Sequence, residues 1–102
     1  MLGDKIKEKL KENWGDMADS LECYAEVRVF DPLSPWECFI YAMNPENEDE
    51  ISCIVRGFEV EVMQWSLSEL ASRFNSNGDC VQLDYEYRPR KASHIYKMLN
   101  RG

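Results

Sequence analysis

The chain has 102 residues, of which 44% are hydrophobic and 12% aromatic, and its formal net charge is −7. This length is typical of a single domain spanning residues 1–102, which buries roughly two thirds of its unfolded surface. The apolar content is too high for a disordered acidic chain. No apolar run reaches the roughly 20 residues that span a bilayer, and the first residues form no apolar signal region. We therefore expect a cytoplasmic protein without a membrane partner.

The charges are unevenly distributed along the chain. Residues 1–12 carry +1, residues 88–102 carry +5 without any acid, and residues 13–87 carry −13. The only cations of this central segment are Arg28, Arg56 and Arg73. Such a field disfavours nucleic acid over most of the surface and favours a basic protein groove. We expect the partner to be a basic protein surface, of which the nucleic-acid groove of a nuclease is one example.

The N-terminal segment is predicted to be a helix that covers one face of a sheet. Ile6, Leu10 and Trp14 are four residues apart, so that they form one apolar stripe. Asp4 is the expected N-cap, and Gly15 ends the run.

Four segments with the alternating pattern of strands follow, at 22–30, 36–44, 51–57 and 58–65. One face of the first strand is predicted to carry Cys23, Ala25, Val27 and Val29. Prolines, an acidic turn and Gly57 separate the segments by short links, which favours an antiparallel meander.

The second half of the chain adds two helices and a strand. Ser66 and Glu69 form the capping-box pattern that opens a helix. A fifth strand is predicted at 81–87 and a C-terminal helix at 91–99. The order indicates an α+β fold, with an antiparallel sheet of about five strands in a meander, an N-terminal helix, one inserted helix and a C-terminal helix.

The sequence contains no recognisable catalytic pattern. His94 is the single imidazole, and the five glycines do not cluster into a phosphate loop. The cysteines at 23, 38, 53 and 80 lack the spacing of zinc ligands and are expected to be buried or half-buried free thiols. We predict no enzyme, no cofactor and no metal. A hydrolase with a carboxylate or thiol site is an alternative.

Paired carboxylates are the main candidates for function. Glu59 and Glu61 alternate with apolar residues in the fourth strand, as Asp84 and Glu86 do in the fifth. Side chains at i and i+2 share one face of a strand about 7 Å apart, a spacing near that of phosphates. If the two strands are neighbours, the four carboxylates form one patch whose mutual repulsion costs stability. Alternation with apolar residues is also typical of a strand whose polar face is merely solvated.

We therefore predict an acidic partner-binding surface, with two aromatic side chains as anchors. The predicted partner-binding residues are Glu46, Glu48, Asp49, Glu50, Glu59, Glu61, Trp65, Asp84, Tyr85 and Glu86.

The C-terminal segment offers a competing function. Its five cations lie near Tyr96 and His94, a combination typical of small nucleic-acid-binding regulators. Direct binding of nucleic acid is the less favoured alternative, because the cluster is short and adjoins a −13 segment. The sequence leaves the oligomeric state open.

An ordered set of short motifs between about residues 27 and 90 resembles a small bacterial family of unknown function that occurs on plasmids, integrative elements and phages. The residues that carry the resemblance are Phe30, Pro32, Trp36, Asn44, Pro45, Gly57, Phe58, Glu61, Ser66, Leu67, Glu69, Leu70, Asp84, Tyr87 and Pro89. The chain has Glu-Val-Met-Gln-Trp where that family has Glu-Leu-Gly-Tyr. The resemblance implies no catalytic residue. It implies cargo of mobile DNA, and hence an inhibitor of a host defence complex of the anti-CRISPR or anti-restriction type.

Overall fold

A computed structural model describes residues 2–73, 78 and 80–101 of the chain and confirms the α+β class. The helices in this part are α1 (Asp4–Glu12), α2 (Asp16–Ser20), α3 (Leu67–Ala71) and α4 (Ala92–Leu99). The strands are β1 (Tyr24–Ala25), β2 (Val27–Phe30), β3 (Glu37–Asn44), β4 (Asn47–Arg56), β5 (Val60–Ser66), β6 (Gln82–Leu83) and β7 (Arg90–Lys91). None of the helices within these ranges is long and apolar enough to cross a membrane.

Five strands form one antiparallel sheet in the order β5-β4-β3-β2-β6. Strands β2 to β5 are the predicted meander, because each is joined to the next by a short link. After α3 the chain returns to the outer side of β2, so that β5 and β6 occupy the two edges. Strands β1 and β7 pair in a separate two-stranded sheet.

Both faces of the large sheet are covered by helices. On the front face, α1 contributes Leu10 and α3 contributes Leu70 to one apolar cluster. On the back face, α2 contributes Ala18 and α4 contributes Ile95 to a second cluster. Strand β3 is buried on both faces from Glu37 to Met43, which explains why its sequence is a nearly continuous apolar run.

The prediction that one face of the first strand carries all four residues 23, 25, 27 and 29 is wrong. Cys23 and Ala25 belong to the back cluster, whereas Val27 and Val29 belong to the front cluster. The chain leaves the small sheet after Ala25 and enters the large one at Val27, and between them the backbone N–H of Glu26 donates to the Ile40 carbonyl oxygen. The single alternating segment 22–30 therefore contributes one strand to each of the two sheets.

The fifth predicted strand is too long. Pairing with β2 ends at Leu83, because the Asp84 carboxylate accepts the backbone N–H of Glu86 at 3.0 Å and closes a turn. The turn directs Tyr87 to the back cluster, where its hydroxyl donates to the Ala25 carbonyl oxygen at 2.7 Å. The predicted common face of residues 81, 83, 85 and 87 does not exist.

The predicted helix N-caps and the predicted burial of the cysteines are confirmed only in part. Ser66 is the N-cap of α3 and accepts the Glu69 N–H at 3.3 Å, whereas the N-cap of α1 is Gly3 rather than Asp4. Three cysteines are buried free thiols, but Cys80 is exposed, contrary to the prediction. Helix α2, which the pattern did not predict, begins after Gly15, whose φ of 102° favours glycine.

Candidate functional site

The predicted partner-binding residues fall into three separate regions. One set lies at the β3–β4 turn and the start of β4, a second along β5, and a third after β6. Because β5 and β6 are opposite edges of the sheet, Glu59 and Glu61 do not form a patch with Asp84 and Glu86. The predicted adjacency of the fourth and fifth strands is wrong. The reason is topological, since the chain crosses over β4 and β3 before it pairs with β2.

Asp84 is held by the protein itself. Its Oδ2 accepts from Arg28 Nη1 at 2.9 Å, and Arg28 Nε donates to Glu37 Oε1 at 2.9 Å. Burial of the guanidinium acts to lower the pKa of Arg28, but its hydrogen bonds to Glu37 and Asp84 outweigh burial, and the pKa is raised. Asp84 therefore stabilises a strand end and is removed from the candidate surface.

Glu48 is also paired within the chain. Its carboxylate lies 2.5 Å from Lys11 Nζ and 3.1 Å from Lys7 Nζ, so that it connects α1 to the start of β4. The hydrogen bonds from Lys11 and Lys7 lower the pKa of Glu48. A carboxylate with two lysines of its own offers little charge to a partner.

Asp49 caps the short helix α3 from a neighbouring strand. Its Oδ2 accepts from the Ser66 hydroxyl at 2.6 Å, and its Oδ1 accepts the Ser68 backbone N–H at 2.8 Å. The Ser66 hydroxyl and then the Ser68 N–H lower the pKa of Asp49, since both bonds favour the charged form. The adjacent Glu50 accepts from Asn44 Nδ2 at 3.1 Å. The main role of Asp49 is thus structural, because it caps the start of α3.

Four predicted carboxylates keep side chains without a hydrogen bond or ion pair in the described ranges. They are Glu46, Glu59, Glu61 and Glu86. Glu46 lies in the turn between β3 and β4, and Glu86 lies in the turn after β6. Only Glu59 and Glu61 lie together, at the start of the edge strand β5. This pair is what remains of the predicted acidic patch.

Further carboxylates without cations surround the far end of β5. Glu50 and Glu69 line a hollow of about 420 Å³ together with Gln64 and Trp65. On the back face, Asp19 lines a groove of about 290 Å³ beside Val62. None of these three carboxylates forms an ion pair with a described residue. We define the acidic rim as the side chains of Asp19, Glu50, Glu59, Glu61 and Glu69.

The two predicted aromatic anchors differ. Trp65 is half-buried, packs edge-to-face on Trp36 with ring centroids 6.4 Å apart, and donates from Nε1 to Glu69 Oε2 at 2.9 Å. Tyr85 is 91% exposed, but it follows β6 and lies at the edge opposite to the acidic rim. Trp65 therefore forms a wall of the hollow rather than a protruding anchor.

The sequence did not predict the tertiary role of three carboxylates: Asp19 and Glu69 of the acidic rim, and the buried Glu37, which contacts arginines of two neighbouring strands. Glu69 was interpreted only as a capping residue, and Asp19 lies in the unpredicted α2. Glu37 is 8% exposed and contacts Arg28 and Arg56, each at 2.9 Å. A charged residue inside an otherwise apolar strand was the available signal, because a buried charge requires a partner.

Residues that could perform chemistry are not assembled in the described ranges. No group of three potential metal ligands occurs there. His94 is exposed on α4, in a shallow hollow of about 160 Å³ that it shares with Lys97, Met98 and Arg101. The hydrolase alternative therefore stays a prediction without a geometric basis in this part of the chain.

Comparison with known proteins identifies no relative. No family model matches the sequence, and neither a curated protein nor a solved structure is significantly similar to it. The resemblance to a family of mobile-element proteins therefore stays a prediction.

Proposed function

We propose that this chain is a non-catalytic binding protein that presents the acidic rim around β5 to a basic surface of a partner protein. The supporting observation is that Glu61 on the edge strand β5 and Glu59 in the bend just before it lie exposed without an ion pair in the described ranges. An uncompensated local charge of this kind attracts a surface of opposite sign and accelerates its association.

The use of the central arginines supports the same proposal. Arg28 and Arg56 both contact Glu37, and Arg73 lies over the Trp36 ring at 4.4 Å. These are the only cations between residues 13 and 87, so none of them neutralises the rim. A cationic partner would neutralise this charge.

For the class of partner, we propose a nucleic-acid-targeting defence complex of a bacterial host, whose basic groove the protein would block from the cytoplasm. This extension depends on the charge of the rim and on the sequence resemblance. Mimicry of a phosphate ladder is no longer part of the proposal, because the carboxylates that would form it are divided between two edges of the sheet.

The test is capture of a partner from host lysate, followed by measurement of nuclease cleavage with the purified partner. We expect the wild-type protein to inhibit cleavage and to bind more weakly as salt rises from about 0.05 to about 0.5 M. Glu59→Lys combined with Glu61→Lys is expected to weaken binding at least about tenfold, because like charges then meet. The matched control is Glu8→Lys with Glu12→Lys, which reverses two exposed carboxylates of α1. Equal binding by both double variants would contradict the proposal.

The basic C-terminal segment supports a second candidate, a nucleic-acid-binding regulator. Arg90, His94, Lys97 and Arg101 follow helical spacing, are exposed, and form no ion pair with described residues. Such a stripe suits phosphates. A gel-shift assay with duplex DNA and structured RNA distinguishes the two candidates, because only the second predicts a shift by the protein alone that Lys97→Glu with Arg101→Glu abolishes.

A further inference from the structure

Strand β5 leaves one side of the sheet without a neighbour. It pairs with β4 from Arg56↔Val60 to Glu50↔Ser66, and it is the last strand in the sheet order. Alternate residues of an antiparallel strand direct their N–H and C=O groups away from the pairing side. No hydrogen bond from another described residue reaches that outer side. An exposed edge of this kind is a template for a further strand.

The edge also lacks two of the features that usually protect an edge strand, a proline and a β-bulge. It runs for seven residues without proline, and no register shift interrupts its pairing with β4. By contrast, the opposite edge strand β6 has only two residues. Length and regularity therefore favour β5 as the edge where another chain pairs.

The two faces of β5 carry different side chains. On the front face of β5, Glu61 is followed by Met63 and Trp65 at alternate positions. Glu59 lies just before the strand, two residues from Glu61. On the back face Val62, which is 44% exposed, lies across from Ile54 beside the groove that Asp19 and Tyr41 line. An added strand would thus place alternate side chains next to carboxylates and next to an exposed valine.

We propose that β5 binds an extended segment of a partner protein by strand addition, and that this segment alternates cationic and apolar residues. The backbone ladder provides affinity, and the alternate side chains provide specificity. Cations on the front face would pair with Glu59 and Glu61 across the strands, and apolar side chains on the back face would cover Val62.

Charge decides between a partner and a second copy of this chain. Two copies paired through β5 would bring their acidic rims together, and each chain carries −7. Like charges at an interface disfavour association, whereas a cationic segment is attracted. The inference rests on the proposed function, because it specifies how the basic partner is recognised.

The test uses a capped peptide of seven alternating lysines and valines, matched to the seven residues of β5. Its control is the same peptide N-methylated at every residue, which keeps the charge and lacks all backbone donors. We expect the N-methylated peptide to bind at least about tenfold more weakly, since it forms no complete ladder. The unmodified peptide should slow hydrogen exchange at alternate amides of β5.

Two single substitutions locate the binding edge. Val62→Lys places a cation in the middle of β5 and is expected to weaken peptide binding about tenfold. Gln82→Lys makes the same charge change on the exposed opposite edge, at β6, and should leave binding unchanged. Loss of binding with Gln82→Lys but not with Val62→Lys would overturn the inference.

Other outcomes separate the inference from the proposed function. Equal binding of both peptides without protection of β5 would overturn strand addition and leave charge-driven binding intact. Protection of β5 in the protein alone, together with a dimer in sedimentation, would assign the edge to a second copy and overturn the inference. If a captured partner is lost with Val62→Lys but retained with Glu59→Lys and Glu61→Lys, pairing at β5 stands, whereas the cationic character of the segment and the electrostatic function both fail.

Discussion

Glu37 shows how a single residue is fixed by contacts that are distant in sequence. It lies in β3 between Phe30 of β2 and Arg56 of β4 in the register of the sheet. Its two carboxylate oxygens are each 2.9 Å from an arginine, Arg28 on one side and Arg56 on the other. The buried Nε of Arg56 contacts Glu37 without the alignment of a hydrogen bond, so that the carboxylate compensates it through charge. The charge is tolerated because the neighbouring strands supply these two cations.

Glu37→Gln is predicted to destabilise the fold. The amide preserves the shape of the side chain, but it leaves two partly buried guanidinium groups with less negative charge, and breaking such a pair costs about 3 kcal/mol. Urea denaturation followed by tryptophan fluorescence measures the change. Glu86→Gln is the control, because Glu86 is exposed and its carboxylate has no partner in the described ranges. Equal stability of the two variants would show that the arginines are well solvated without Glu37.

At the scale of elements, helix α1 combines two kinds of attachment to the sheet. Leu10 is fully buried in the front cluster, as predicted, whereas Trp14, predicted on the same stripe, lies after α1 and packs against the back cluster. Lys7 and Lys11, which lie on another side of the helix, contact Glu48. Exposed ion pairs contribute little to stability, so the apolar contact is expected to dominate.

Leu10→Ala is predicted to lower the free energy of unfolding by about 3 kcal/mol, because it removes a buried side chain and leaves a cavity. Glu48→Gln should shift the urea midpoint much less, and the shift should disappear as salt screens the pair. Denaturation of both variants at low and high salt provides the comparison. A larger loss of stability with Glu48→Gln than with Leu10→Ala would mean that ion pairing, rather than burial of apolar surface, holds α1 on the sheet.

At the scale of the whole molecule, the arginines of the central segment and several lysines outside it form contacts within the fold. Arg28 and Arg56 hold the strand ends around Glu37, and Lys7, Lys11 and Lys91 pair with acids of other elements. The surface that results is acidic around β5 and basic along α4. This separation of charge, rather than the net charge alone, supports binding to a partner through one side.

The reactivity of the four thiols measures how well the folded protein excludes a reagent from its core. Cys38 and Cys53 are fully buried on the front face, Cys23 is 1% exposed, and Cys80 is exposed. The neighbouring Cys53 sulfur and burial raise the pKa of Cys38, and burial raises the pKa of Cys23. Since the thiolate is the reactive form, both effects reduce reactivity.

An aromatic disulfide reagent should therefore modify one thiol per native chain rapidly and the other three only at the rate of unfolding. Cys80→Ser should remove the fast phase, and urea should restore reaction of the remaining thiols. A fast phase that persists in Cys80→Ser would indicate that one of the cores opens locally.

The sequence determined those features that depend on neighbours along the chain. Periodicity predicted the α+β class, the meander of β2 to β5 and the burial of Leu10 by the first helix, because side-chain direction follows from local backbone geometry. The Ser66 cap was predictable for the same reason, since donor and acceptor are three residues apart.

The tertiary structure alone decided which strands are neighbours and which charges are neutralised. Asp84 and Glu48 had the same appearance in the sequence as Glu59 and Glu61, yet their cations come from Arg28, Lys7 and Lys11 of other elements. Placement of β5 and β6 at opposite edges divided the predicted patch and left an unpaired strand beside the remaining acids. Strand order and ion pairing both depend on contacts between distant segments, which a local pattern of residues does not specify.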